Sequence, residues 1–97
     1  MSDSTTAIPT VQIDNEQVRV TEWRFPPGAQ TLLHSHEMDY IVVPLTGGTL
    51  EVRAQGEVTE NILTAGASYF RRAGATHNVI NVSEMECAFV EIELKPT

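Results

Sequence analysis

A chain of 97 residues with 13 acidic and 6 basic side chains, net charge −7, has room for one small domain and no second one. The acidic balance argues against nucleic acid and against an anionic membrane surface, both of which select basic partners. No apolar run approaches the roughly 18 residues of a spanning helix. Met1-Ser2-Asp3-Ser4-Thr5-Thr6 lacks the basic start and apolar centre of a signal peptide. The lone Cys87 forms no internal disulfide and reads as a buried small hydrophobe. A cytoplasmic protein is therefore expected.

Leu, Ile, Val and Phe total 25 residues, above the roughly 20% below which a charged chain tends to stay disordered. A single domain over 1–97 is expected, with its core at about 18–94 and a frayed polar start over 1–8. Along the chain, Val11 and Ile13 share a face by period two, as do Val18 and Val20. Turn signals follow at Pro26-Pro27-Gly28, Gly47-Gly48, Gly56, Gly66 and Gly74. From Gly47 to Gly56, Gly66 and Gly74 the steps are 9, 10 and 8 residues, the spacing of short strands in a sandwich or barrel. Thr46-Gly47-Gly48-Thr49 predicts a tight hairpin between the strands on either side, and Pro44 belongs at a strand end or edge. Leu50, Val52 and Ala54 oppose Glu51 and Arg53; Val58, Glu60 and Ile62 form a weaker set. Ala88, Val90, Ile92 and Leu94 alternate with Phe89, Glu91, Glu93 and Lys95, which predicts a strand over 87–94. Ser83-Glu84-Met85-Glu86 has the form of a capping box and leaves a helix there as the alternative.

The chain has three histidines, His34, His36 and His77. On an unbroken strand Leu32, His34, His36, Met38, Tyr40 and Val42 would point one way. Two imidazoles aimed at one point, joined by a third from a distant strand, suit a divalent transition metal. The same pattern also describes two solvent-exposed histidines on a surface strand and a third capping a turn. Ser35 has the opposite parity and is turned away from its neighbours. The chain carries no phosphate-binding loop, no nucleophile elbow and no cysteine pair for zinc.

Gly28, five residues, His34-Ser35-His36, three residues, Tyr40, six residues, Gly47 resembles the first motif of the cupin family. Gly66, seven residues, Gly74, two residues, His77, three residues, Asn81 resembles the second. The 18 residues between them, Gly48 to Ala65, match the short spacing of small microbial cupins. The resemblance covers about 18–94 and implies an all-β antiparallel jelly-roll barrel. It also implies one divalent metal per chain, held by His34, His36 and His77 in the open end. Two positions depart from the pattern: Tyr40 stands where the first motif has Glu, and Arg72 where the second has Pro. A phenol of pKa near 10 is a poor ligand, so a three-histidine site is expected, with Tyr40 outside the coordination sphere. Glu37 and Asp39 have rim parity, and a bulge after His36 would turn one of them inward.

Three neutral imidazoles leave a divalent ion its full charge and up to three octahedral positions for anions, chelating substrates or dioxygen. Three-histidine cupins resemble the β-diketone-cleaving and thiol dioxygenases. That likeness implies iron, with nickel, zinc, manganese or cobalt as other candidates. Its substrate would be a small chelating acid or β-dicarbonyl, and short cupins of this kind point to small-acid catabolism such as β-alanine breakdown. A metal-dependent isomerase or lyase on a keto or sugar acid, or a non-catalytic anion-binding module, remain alternatives. Tyr40 and Arg71 are the candidate catalytic residues, Arg71 as a carboxylate clamp; the other reading makes Arg71 and Arg72 ordinary surface charges. Met38 and Tyr69 are candidate pocket residues. Phe25 and Phe70 belong to a wall or, more simply, to the core, and Trp23 to dimer or core packing. A homodimer is expected, with the strand carrying Val11 and Ile13 adding to a partner's sheet.

Overall fold

The computed structural model describes residues 5–96. These contain nine strands and no helix: β1 (Ile8–Asp14), β2 (Val18–Phe25), β3 (His34–Ser35), β4 (Asp39–Pro44), β5 (Gly48–Ala54), β6 (Glu57–Leu63), β7 (Tyr69–Arg71), β8 (Thr76–Asn81) and β9 (Cys87–Leu94). They form two antiparallel sheets, ordered β1-β2-β9-β4-β7 and β3-β8-β5-β6. Residues 87–94 are a strand, not a helix, because β9 is the central member of the larger sheet and pairs along both edges.

The glycines at 47 and 48 do not make a hairpin. β4 and β5 belong to different sheets, so this segment carries the chain across the domain. Gly48 takes φ 127°, and a Cβ there would strike the Cys87 sulfur. Both edges of β4 are taken, one by β9 from Asp39 to Pro44 and the other by β7, which leaves none for β5. Pro44 ends β4, as its missing donor requires.

Val11 and Ile13 do not share a face. A bulge between them puts Val11 opposite Thr21 and Ile13 opposite Val20, so the first lines the inside and the second points out. Of the residues expected to fray, 1–4 lie outside those described, whereas Thr5–Ala7 run beside Gln30. Ala7 donates to the Gln30 carbonyl (2.9 Å), Gln30 donates to that of Thr5 (3.0 Å), and Ala7 is buried.

The core sits between the sheets, toward one end. Phe25, Phe89, Val42 and Cys87 from the larger sheet meet Leu50, Leu63 and Val79 from the smaller. Phe25 stacks on Phe89 with ring centroids 5.6 Å apart. Asn81 closes this end: its buried amide donates to the carbonyls of Phe25 (2.9 Å) and Met85 (2.8 Å), and its oxygen accepts from Ser83 N (2.8 Å) and Cys87 Sγ (3.4 Å). Both flanking loops are thereby pinned, and Cys87 is fully buried. On β6 it is Leu63 that enters the core; Val58 and Ile62 share the exposed face.

On β9 the two alternating sets are placed against the usual polarity. Phe89, Glu91 and Glu93 face the interior, while Val90, Ile92 and Leu94 face outward. The acids point inward because the opposite end of the domain is a cavity rather than packed core.

Candidate metal centre

That cavity has a volume of about 550 Å³ and is walled by both sheets. The run from Leu32 to Val42 is not one strand. β3 pairs with β8 in the smaller sheet, β4 lies in the larger, and His36–Met38 bridge them. His34 and Tyr40 therefore reach the same interior from opposite walls. His34 lies directly across from His77 in the β3–β8 ladder, and the His36 backbone is tied to the β7–β8 turn through Ala75 O and Gly74 N.

The three imidazoles converge. His34 Nε2 lies 3.1 Å from His36 Nε2, which lies 3.0 Å from His77 Nε2. Two nitrogens each about 2.1 Å from one ion stand about 3.0 Å apart at a right angle and about 3.4 Å apart at the tetrahedral angle. Both observed spacings fit the right angle. Their ring orientations are set from behind. His34 Nδ1 contacts the Leu32 carbonyl at 2.9 Å, and the Tyr40 ring stacks on His36 at 4.2 Å with 21° between planes. Burial and the neighbouring imidazoles push His36 down to about 4, and burial and His34 do the same to His77. Both are neutral at pH 7, the form in which imidazole binds a metal.

Tyr40 is buried, and burial together with Glu91 pushes its phenol up to about 12, so it is neutral near these rings. Arg71 faces the cavity opposite Tyr40, its guanidinium 4.4 Å from the Tyr69 ring centroid. The Tyr69 hydroxyl accepts from Asn61 Nδ2 at 2.7 Å. Among the described residues, Arg19, Arg24, Arg53 and Lys95 are ion-paired, whereas Arg71 and Arg72, both on the cavity, are not.

Met38 does not line the cavity, because the crossing between sheets breaks its parity with His36. Phe70 is neither wall nor core: it points outward and is 47% exposed. Phe25 is core, and Trp23 lines the cavity while packing against that core. Glu37 is exposed, and the Asp39 carboxylate accepts from Ala73 N at 2.7 Å, so neither reaches the histidines. Ser35 turns its hydroxyl to that of Thr76.

Two cavity acids come from β9. Glu91 is buried, with one oxygen 3.9 Å from His36 Nδ1, and Glu93 faces Arg19 at 3.8 Å. Burial, with Glu93 adding to it, pushes Glu91 up to about 7. Beside a neutral His36, the 3.9 Å contact is not an ion pair. The signal in the sequence was a pair of acids alternating with apolar residues, indistinguishable there from an ordinary solvated face.

The cupin domain family matches residues 21–93. The chain belongs to the cupin family. It is 55% identical over 95 residues to the Beta-alanine degradation protein BauB of Pseudomonas aeruginosa, covering 98% of this chain and all of that one. A cupin domain from Bordetella pertussis superposes with a TM-score of 0.95 at 54% identity, covering 99% of this chain and all of that one. A Thermus thermophilus protein superposes with a TM-score of 0.71 at 27% identity, over 94% of this chain and 86% of that one.

Proposed function

We propose that this cupin is a metal-dependent enzyme of small-acid catabolism, a single domain acting in the cytoplasm as a homodimer. His34, His36 and His77 would hold one divalent transition metal, with iron preferred. The observation that carries the proposal is the convergence of three imidazoles, two of them neutral, in a cavity that also presents an unpaired arginine. The bound metal would supply a positive centre for chelation and for dioxygen chemistry. Arg71 binds the substrate carboxylate, Tyr40 donates a hydrogen bond to the bound ligand, and Tyr69 forms part of the wall. The substrate class is a small chelating acid or β-dicarbonyl, and the reaction is oxidative cleavage. The similarity to BauB supports a small acid from amino-acid breakdown.

A second reading, a metal-dependent isomerase or lyase, is favoured by Glu91. A buried carboxyl poised near neutrality beside the site suits proton transfer. A non-catalytic anion-binding module would use the same metal and Arg71.

The test is metal analysis after anaerobic purification, followed by oxygen-electrode assays on small β-keto acids and β-diketones. One dioxygen consumed per substrate cleaved supports the dioxygenase. Turnover without oxygen supports the isomerase or lyase, and ligand binding without turnover the binding module. Unchanged metal content in His77→Ala overturns the site.

A further inference from the structure

The ionisable groups on the inner face of the larger sheet are not all matched in place. Arg19 serves two acids, Asp14 at 3.5 Å and Glu93 at 3.8 Å. Arg71 on β7 and Glu91 on β9 are each left without an opposite charge. Glu91 is 8% exposed, and among the described residues no lysine or arginine pairs with it; the group it faces is the His36 imidazole, 3.9 Å away. A carboxylate held out of water is costly unless a cation reaches it.

The register puts the two groups in one row. Tyr69 lies opposite Val42, and Val42 opposite Glu91. Residues directly opposite in a ladder share a face. Arg71 folds its guanidinium over the Tyr69 ring, 4.4 Å from the centroid, and so enters that row. Val42, buried and short, is the floor between them. Two strand spacings, about 10 Å, separate the guanidinium from the carboxyl, too far for a direct pair. A bidentate guanidinium–carboxylate pair takes up about 4 Å of such a span, and an ammonium–carboxylate bond about 3.5 Å. With bonds of about 1.5 Å, the remaining 2–4 Å or so is the distance from carboxyl carbon to nitrogen across one or two methylene groups.

We propose that the cavity takes a short amino acid as its zwitterion, with the carboxylate on Arg71 and the ammonium on Glu91. The inference rests on the small-acid reading above and narrows it to acids that carry an amino group. The class follows from opposite charges at a fixed spacing. A dicarboxylic acid would set its second carboxylate against Glu91, and a diamine would set an ammonium against Arg71. A plain acid satisfies Arg71 and leaves Glu91 buried and unpaired, so Glu91 selects against it. The ammonium seat is also kept apart from the histidine cluster. Glu91 stands on the Nδ1 side of His36, whereas the three imidazoles converge through Nε2.

Isothermal titration of the zinc-loaded chain compares two matched pairs, glycine against acetate and β-alanine against propionate, whose members differ only by the amino group. At about pH 8 the better-fitting amino acid should bind at least about tenfold more tightly than its matched acid, the worth of one hydrogen bond to a charged group. Glu91→Gln keeps the shape and removes the charge, and should bring that ratio to within about twofold. Arg71→Gln should weaken amino acid and acid alike and leave the ratio standing. Should Glu91→Gln not fold, the native chain decides by length: ε-aminocaproate, too long for the span, should bind at least about tenfold more weakly than β-alanine. Equal affinities for those two overturn the span. A ratio that survives Glu91→Gln assigns the amino group to the metal and overturns the Glu91 seat. Equal binding of amino acid and acid by the native chain overturns the zwitterion and leaves the small-acid reading intact. A chain that takes up no zinc, or binds neither member of either pair, overturns both together.

Discussion

Leu32 holds its backbone at φ 73° and thereby turns its carbonyl oxygen onto Nδ1 of His34, 2.9 Å away. A leucine rarely adopts this left-handed region, which costs roughly 1–2 kcal/mol. The conformation is held from the other side, where Leu32 N–H donates to Asn78 Oδ1 at 2.8 Å. The side chain itself is 53% exposed and contributes little packing. The strain is local and serves one imidazole: with Nδ1–H bonded behind it, His34 presents Nε2 to its two partners.

Leu32→Gly should therefore keep metal affinity within about twofold, since glycine takes this backbone freely. Leu32→Pro fixes φ near −65° and deletes the donor to Asn78. It should lower affinity about 10–100-fold, the usual effect of losing an outer partner. Competition titration against a chromogenic chelator reads both. Equal affinities in the two variants would remove Leu32 from the site.

Glu91 gives the metal-free protein a specific pH dependence. Between the unfolded value of 6.5 and the folded value of about 4, the unfolded chain binds protons that buried His36 and His77 do not. Stability from these two therefore rises with pH across that window and is lost as pH falls through it. Glu91 runs the other way. Its folded carboxyl keeps its proton to about 7 against 4.5 unfolded, so its contribution falls as pH rises between them. Glu91→Gln removes only the falling limb. In chelator, the urea midpoint of the variant minus that of the native chain should grow from about pH 5 to about pH 8. A constant difference would mean that Glu91 does not hold its proton near neutrality.

Gly48 tests the crossing between sheets. Its φ of 127° strains any other residue, and a Cβ would overlap the buried Cys87 sulfur. Gly48→Ala should destabilise by several kcal/mol. Gly48→Ala/Cys87→Ala relieves the overlap but not the backbone, and should recover only part of the loss. Full recovery in thermal melts would assign the whole effect to the sulfur.

How far the sequence carried these conclusions depended on whether a signal was local. His34, His36 and His77 were legible as a set because two motifs fixed their spacing, and the glycines at 28, 66 and 74 marked turns by needing positive φ. The Gly47–Gly48 segment reads as a hairpin because a crossing between sheets uses the same residues as a turn; only the pairing of both β4 edges, with β9 and β7, separates them. Period two tells which residues share a face but not which face is inside. Glu91 was missed for that reason, and Ile92 and Phe70 point outward for it too. One bulged residue between Val11 and Ile13, and the sheet change at His36–Met38, each reset a parity that the sequence carried straight through.

Tyr40 is the residue through which the proposed chemistry is most directly separable from the fold. Its ring lies on His36, 4.2 Å between centroids, so any replacement must be judged first on whether His36 keeps its place. Tyr40→Phe keeps the ring and removes only the hydroxyl. It should retain metal and stability within experimental error, and weaken bound carboxylates or turnover about 10–100-fold. Tyr40→Glu removes the stacking partner and places a carboxylate at the position where the first cupin motif has one. Metal should bind more tightly, because one negative charge joins three neutral ligands, and anionic ligands should bind more weakly, because the site loses a positive charge. Tyr40→Ala supplies the control for lost stacking: it should loosen His36 and reduce metal affinity without the compensating charge. Isothermal titration with zinc, then with a small carboxylate on the loaded protein, reads all three. Loss of metal in Tyr40→Phe would make the phenol a ligand despite its neutrality, and the three-histidine site would fail. Silence in both the Phe and Glu variants would reduce Tyr40 to a wall.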